Sequence, residues 1–191
     1  MTTRSSPLAA ALAAILGCAA GSETLLPLTP VPAEPPPDAF AAKGEILIRQ
    51  NSAAFDDWRV VGPQVNMTRD ADGSWKGNLF GQSYVMKPGE GKVSGSGAEL
   101  YFVRWGRELV VRGQLQGRTV NIRLLPGEGI PTPSGIACRY DGNLVDCDKK
   151  SSSVRQGIEL RGEAARVSSP PLPQFALALV AIAGPSIGLG R

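Results

Sequence analysis

The sequence predicts an all-β domain, a small antiparallel sandwich or barrel that follows a proline-rich tether. Three observations lead to this prediction. From Gly44 onwards apolar residues alternate with polar ones, and turn residues interrupt the pattern about every eight to twelve residues. The chain contains 23 glycines and 16 prolines, which favours short strands and turns over long helices. Its 191 residues suit one core with appendages.

Nine segments are predicted as strands, each with an alternating pattern between turn residues. They are Glu45–Arg49, Trp58–Met67, Ser74–Phe80, Glu99–Trp105, Glu108–Gly113, Arg118–Leu125, Gly135–Tyr140, Leu144–Cys147 and Gly157–Gly162. In the segment from 118 to 125, Val120, Ile122 and Leu124 fall on one face and polar side chains on the other. One dry face and one solvated face are typical of antiparallel sheets.

A three-stranded meander is predicted between residues 99 and 125, with its first turn at Gly106-Arg107. Residues opposite each other on neighbouring strands then follow from counting outward from this turn. The predicted opposite pairs are Trp105 with Glu108, Val103 with Val110 and Tyr101 with Arg112.

A second hairpin is predicted between Cys138 and Cys147, with a two-residue turn at Gly142-Asn143. Counting outward places the two cysteines opposite each other at a non-hydrogen-bonded position, where Cα atoms of antiparallel strands lie closest. We therefore expect a structural disulfide worth about 2–3 kcal/mol for a loop of this size. Metal binding by these thiols would need further ligands, and the chain has no histidine.

The first residues carry the features of an export signal, which we assign to residues 1–17. Arg4 precedes the apolar run Leu8–Leu16, and nine residues are too few to cross about 30 Å of hydrocarbon. The run ends in Ile15-Leu16-Gly17-Cys18, which resembles the lipobox of bacterial lipoprotein signal peptides, with Ile15 where leucine is usual. The resemblance covers about 20 residues.

This resemblance implies that Cys18 becomes the first residue of the mature protein and carries acyl chains such as palmitate. Ala19, where an aspartate would retain the protein, implies transfer to the outer membrane. The cysteine count agrees, because one of three cysteines stays unpaired in an oxidising compartment and acylation removes that thiol. The alternative is an ordinary signal peptide, cleaved near Ala20, that leaves no lipid.

Residues 18–43 are predicted to form the lipidated tether. Prolines fix φ and favour polyproline II, so the segment would extend about 3.1 Å per residue and reach up to roughly 75 Å from the bilayer. The prolines are Pro27, Pro30, Pro32, Pro35, Pro36 and Pro37.

The β domain is predicted to span residues 44–167, and residues 168–191 to hold a proline-rich segment and an apolar C-terminal strand. Phe175–Ala183 has nine apolar residues, too few for a transmembrane helix, and Pro185 interrupts any extension. The alternative, a processed sorting tail, would normally have a longer apolar run and a basic cluster, whereas only Arg191 follows.

Composition excludes several classes of function. Without histidine the chain lacks Ser-His, Cys-His and His-ligated metal sites, so the G-x-S-x-G match at residues 184–188 has no base for its serine. Basic residues are scattered singly and the net charge is only +3, which argues against nucleic acid as a partner. Asp70-Ala-Asp72-Gly73 resembles part of an EF-hand loop, but we interpret it as a turn. We expect no cofactor and no metal.

The leading hypothesis is a non-catalytic, lipid-anchored envelope protein whose β domain binds or supports another envelope protein or glycan. A second hypothesis is a carboxylate-based hydrolase of envelope glycan, which needs two acids about 5–9.5 Å apart across a cleft. A third is a surface-exposed adhesive module. An exposed apolar patch of several hundred Å² would favour binding. The candidate acids are Asp56, Asp57, Asp141, Asp146 and Asp148.

Overall fold

A computed structural model describes residues 23–25, 39–89, 91–149, 156–166 and 173–190. These residues form fifteen strands in one sheet and one α-helix. The elements are β1 (Glu23–Leu25), β2 (Gly44–Ile48), β3 (Asn51–Phe55), β4 (Arg59–Gly62), β5 (Val65–Arg69), β6 (Trp75–Leu79), β7 (Gln82–Gly89), β8 (Lys92–Gly95), β9 (Ala98–Trp105), β10 (Glu108–Leu115), β11 (Arg118–Leu125), β12 (Ile130–Thr132), β13 (Gly135–Asp141), β14 (Leu144–Asp146), β15 (Gly157–Gly162) and α1 (Pro173–Ala183).

Thirteen of the strands close into a β-barrel. The order of hydrogen-bonded neighbours is β9-β10-β11-β14-β13-β15-β2-β3-β4-β5-β6-β7-β8, and β8 pairs again with β9. Neighbours in this ring are antiparallel apart from β11 and β14, which run parallel. The all-β prediction is confirmed, and of its two alternatives the barrel is the correct one.

The predicted meander is confirmed residue by residue in β9, β10 and β11. Trp105 lies opposite Glu108, and the pairs Val103–Val110 and Tyr101–Arg112 follow in the same register. In β11 the three apolar residues Val120, Ile122 and Leu124 are fully buried while the residues between them reach the surface. Period-two alternation therefore decides which side chains enter the barrel.

Other strands depart from the sequence prediction. The segment from 58 to 67 is not one strand, because Pro63-Gln64 forms a turn between β4 and β5. Proline has no backbone N–H to donate to a sheet, which favours a break there. β3, β7, β8 and β12 were not predicted from the sequence, since their apolar residues are small or few.

The C-terminal apolar segment is an α-helix, so the prediction of a final strand was wrong. α1 lies inside the barrel against β2, β3 and β4, and all its residues apart from Ile182 are buried. Phe175 packs edge-on against Phe55, with ring centroids 6.3 Å apart. A strand inside a closed ring would find no free edge to satisfy its backbone, whereas a helix bonds its own.

The β domain therefore extends beyond its predicted end at residue 167. Residues 173–190 are not an appendage to a domain ending at 167, because α1 and Leu189 belong to the same apolar core as the strands. The Tyr140 hydroxyl donates a 2.8 Å hydrogen bond to the carbonyl of Ala183. This bond ties the last turn of the helix to β13. Within the described residues, none of the helices is long and apolar enough to cross a membrane.

β13 and β14 form the predicted cysteine hairpin. Asp141 and Leu144 are opposite each other across the Gly142-Asn143 turn. Cys138 and Cys147 form a disulfide with their Cα atoms 4.1 Å apart, and both side chains are at most 3% exposed. The bond therefore lies inside the core, out of reach of dissolved reductants.

The tether prediction needs a partial correction. Residues 23–25 form β1, which pairs antiparallel with the end of β9. β8 pairs only with residues 98–101 of that strand, so the edge from Val103 to Trp105 is left for β1. Residues 23–25 are thus part of the sheet and not of a free spacer. The signal peptide, Cys18 and the six tether prolines lie outside the described residues.

Shortening a side chain of the helix should destabilise the whole barrel. We expect Leu179→Ala to lower the free energy of unfolding by about 2–5 kcal/mol, because it leaves a cavity in a fully packed core. Urea denaturation followed by the fluorescence of buried Trp75 measures this. The exposed Val85→Ala is the control and should change stability by about 0.5 kcal/mol or less. Equal effects of the two variants would contradict a packed lumen.

Loss of the disulfide should weaken the fold without acting on any redox chemistry. We expect Cys138→Ser with Cys147→Ser to cost about 2–3 kcal/mol in urea denaturation. In freshly isolated protein that has not been reduced, thiol labelling under denaturing, non-reducing conditions should leave both cysteines unlabelled. Labelling of either one without prior reduction would show that the pair is not bonded in the cell.

Candidate functional site

The outer surface of β9, β10 and β11 carries the most distinctive group of side chains on the described barrel. Residues that alternate with the buried ones point away from the lumen, so three neighbouring strands present one continuous face. We call it the aromatic face and define it by Tyr101, Val103, Trp105, Glu108, Val110, Arg112, Thr119, Asn121 and Arg123.

Two valines on this face are buried although they point outward. Val103 and Val110 lie opposite each other on β9 and β10 and are 1% and 6% exposed. The apolar core formed by the described residues includes neither of them. They are therefore covered from outside the barrel, by the larger side chains around them, and they form a small apolar floor.

Trp105 lies at one end of the floor and is 48% exposed. The guanidinium carbon of Arg123 lies 5.7 Å from the centroid of its ring. Arg123 in turn donates two hydrogen bonds to the carboxylate of Glu108, at 2.8 and 2.6 Å. This two-pronged ion pair fixes the guanidinium plane and holds it against the indole.

Tyr101 lies at the other end and is held by a second ion pair. Oε1 of Glu99 accepts hydrogen bonds of 2.7 Å from both Lys92 Nζ and the Tyr101 hydroxyl. Lys92 Nζ also lies 5.3 Å from the centroid of the Tyr101 ring. The bonds from Lys92 and then from Tyr101 lower the pKa of Glu99, and the Glu99 bond raises the pKa of Lys92.

A groove of about 510 Å³ crosses the aromatic face. Tyr101 and Trp105 are four residues apart on one strand, so they stand about 13 Å from each other. Arg112 and Asn121 add planar hydrogen-bonding groups to the groove lining. The groove offers two restrained rings and several polar groups to a ligand segment lying across the strands, while Val103 and Val110 beneath are already covered.

The carboxylates proposed for a hydrolase serve other purposes. Oδ1 of Asp56 accepts hydrogen bonds from the backbone N–H groups of Trp58 and Arg59, at 2.7 and 2.6 Å, and so shapes the turn between β3 and β4. Burial leaves Asp56 only 4% exposed. Asp57 forms an ion pair with Lys43. Both residues therefore stabilise the rim of the barrel.

Asp146 and Asp148 line a second cleft of about 390 Å³ together with Glu128. Asp146 is ion-paired with Arg139, and its other oxygen accepts a 3.0 Å bond from the backbone of Asp148. Glu128 is paired with Lys149 at 2.8 Å. The acids in this cleft are thus already engaged in turns and ion pairs. Asp141 lies apart from them, exposed beside the hairpin turn.

The turn interpretation of residues 70–73 is confirmed. Oδ1 of Asp72 accepts bonds of 2.9 and 2.6 Å from the backbone and hydroxyl of Ser74, and these bonds lower its pKa. Asp70 is paired with Lys76. In the part of the chain that the structure describes, acidic and cysteine side chains do not gather in groups of three that could hold a metal.

Sequence reasoning did not identify the aromatic face as a site. It did predict its central register, with Tyr101 opposite Arg112 and Trp105 opposite Glu108. The signal that could have revealed it is this concentration of Tyr, Trp and Arg on a wet face. Lys92 could not have been added, because β8 was not predicted.

Comparisons with known proteins add no family to this description. No protein-family model matches the chain, and no curated protein or solved structure is significantly similar to it. The function therefore has to be argued from the aromatic face itself.

Proposed function

We propose that this protein is a non-catalytic, lipid-anchored component of the bacterial cell envelope that binds another envelope protein through the aromatic face. The observation that carries the proposal is the groove of about 510 Å³ on this face, where the restrained rings of Tyr101 and Trp105 stand beside Arg112. The lipobox at residues 15–18 supports the anchor, and Ala19 supports an outer-membrane location.

The composition of the face supports a protein partner. Trp, Tyr and Arg are the residues that most often dominate the energy of protein interfaces, because they bury large areas and keep polar groups for hydrogen bonds. Here Trp105, Tyr101, Arg112 and Arg123 lie around one groove. An apolar floor with a polar surround is the usual anatomy of such an interface.

Preorganisation supports the proposal further. Ordering a flexible side chain during association costs about 0.5–1.5 kcal/mol. Arg123 with Glu108 already holds Trp105, and Lys92 with Glu99 already holds Tyr101. Much of this side-chain entropy is therefore already lost in the free protein, so that partner binding has a smaller entropy cost.

The alternative functions have weaker support. The hydrolase hypothesis needs two available acids, and the candidate acids that line the second cleft are engaged in ion pairs and turns. The adhesive hypothesis has no observation of its own among the described residues, whose exposed large apolar side chains are scattered apart from Leu25 and Trp105. These side chains are Leu25, Val61, Val85, Trp105 and Ile130.

Site-specific cross-linking in native envelopes tests the partner. A photo-reactive residue at Thr119 or Asn121, both exposed on the face, should give one discrete protein adduct. Tyr101→Ala or Arg112→Ala should reduce that adduct about tenfold or more, as expected of residues that dominate an interface. A probe at exposed Asn66, on the outside of β5, is the matched control and should not give the adduct.

Two results would contradict the proposed partner. One is the same adduct from position 66, which would mark unspecific capture. The other is an adduct that resists protease but yields to a glycan-degrading enzyme, which would make the ligand of the face a glycan.

The ion pair at Tyr101 predicts a specific response to pH. The pKa of Glu99 is lowered from its ordinary 4.5, so the pair is intact above that value and is lost as the pH falls through the lowered folded-state pKa. A ¹³C NMR titration of the Glu99 carboxyl carbon should show this low midpoint. Lys92→Met should raise it most and Tyr101→Phe less, since Lys92 is the larger cause. Equal midpoints in all three proteins would show that the pair does not form in solution.

A further inference from the structure

The direction of β1 fixes where the N-terminal segment leaves the barrel. β1 is antiparallel to β9, with Leu25 opposite Val103 and Glu23 opposite Trp105. The chain that precedes Glu23 therefore departs at the tip of the β9–β10 hairpin, where Gly106 and Arg107 make the turn. This is the end of the barrel from which any N-terminal anchor must extend.

Chain length then limits the distance to such an anchor. Cys18 precedes Glu23 by five residues. A fully extended chain covers at most about 3.3–3.6 Å per residue, so a lipid on Cys18 lies within roughly 18 Å of the hairpin tip. The roughly 75 Å reach of a free tether does not apply while β1 is paired. This step rests on the lipid anchor of the proposed function.

The surface at this end suits a membrane. Trp105 is 48% exposed and Leu25 is 46% exposed, and both point outward because Leu25 lies opposite Val103. Arg107 lies in the turn after Trp105, and its guanidinium donates a 3.2 Å hydrogen bond to the carbonyl of Pro126. Tryptophan prefers the membrane–water interface, and an arginine is attracted to the negative surface potential of an anionic leaflet.

We propose that the hairpin tip, residues 105–108, together with Leu25 rests on the lipid surface, and that the β1–β9 pairing enforces this contact. Anionic phospholipid headgroups are the ligand, bound by Arg107 in the turn, while the Trp105 ring and Leu25 enter the interface. The Tyr101, Arg112 and Asn121 end of the groove then points away from the bilayer along the strands and stays open to a protein partner.

Tryptophan fluorescence tests this contact directly. Trp58 and Trp75 are 5% and 1% exposed, so Trp105 is the tryptophan that a surface quencher reaches. The full acylated chain is reconstituted in vesicles of phosphatidylcholine and phosphatidylglycerol in equal parts, with and without brominated acyl chains. We expect brominated lipid to quench the emission and vesicles to shield Trp105 from acrylamide several-fold. Trp105→Phe should abolish both effects.

A variant of β1 tests the role of the pairing. Thr24→Pro removes a backbone N–H from the strand and should detach it from β9. The barrel should keep its unfolding midpoint, and the quenching by brominated lipid should fall by half or more. Thr29→Pro, outside β1, is the matched control and should leave quenching unchanged. Unchanged quenching in Thr24→Pro would overturn the enforcing role of β1.

The outcomes separate this inference from the proposed function. If Trp105 stays accessible to acrylamide and unaffected by brominated lipid in acylated protein, the membrane contact is wrong. The cross-link from position 121 still decides partner binding in that case. Intact mass of the membrane-extracted chain decides the anchor by itself, since a chain without acyl groups on Cys18 overturns both the anchor and the contact built on it.

Discussion

The structure depends on one constraint, that a closed ring of thirteen strands must have its interior filled. Barrels of about eight strands have lumens that inward side chains can occupy, and the diameter grows with strand number. Here the additional space is taken by α1, which is apolar on all sides and buried along almost its whole length. Closure also explains why this segment is helical, because the ring offers its backbone no free edge. Contacts at both ends hold the helix in place: the ring of Phe175 packs against Phe55, and the carbonyl of Ala183 accepts a hydrogen bond from Tyr140.

Because the lumen is filled, the proposed binding site lies on the outside of the barrel. There the aromatic face takes the place of a cleft, since ion pairs position its two rings on either side of two buried valines. The strength of these exposed ion pairs is individually modest. Their importance lies in geometry, because each one restrains an aromatic side chain that would otherwise sample several rotamers.

Local sequence patterns predicted much of the sheet, but they did not predict the helix that fills the lumen. The alternation in Arg118–Leu125 and the turn at Gly142-Asn143 are local patterns that determine which residues face each other across neighbouring strands. The strands and the disulfide pairing could therefore be predicted by counting residues outward from the turns. Phe175–Ala183 was different, because a nine-residue apolar run suits a buried strand as well as a buried helix, and only ring closure decides between them. Lys92 was missed for a similar reason. Its strand is short and polar, and it joins the site only because the barrel brings β8 beside β9.

The position of α1 after all the strands has a consequence for the order of events during synthesis. The ring closes through contacts between its first and last strands, as in the ion pair of Glu45 with Arg161, 116 residues apart and 3.1 Å between charged atoms. Its core is completed by residues made later still. The native core therefore cannot be completed before α1 has been synthesised, and long-range pairing of this kind is slow. A chain that folds in this way spends longer without its native core than one whose contacts are mainly local.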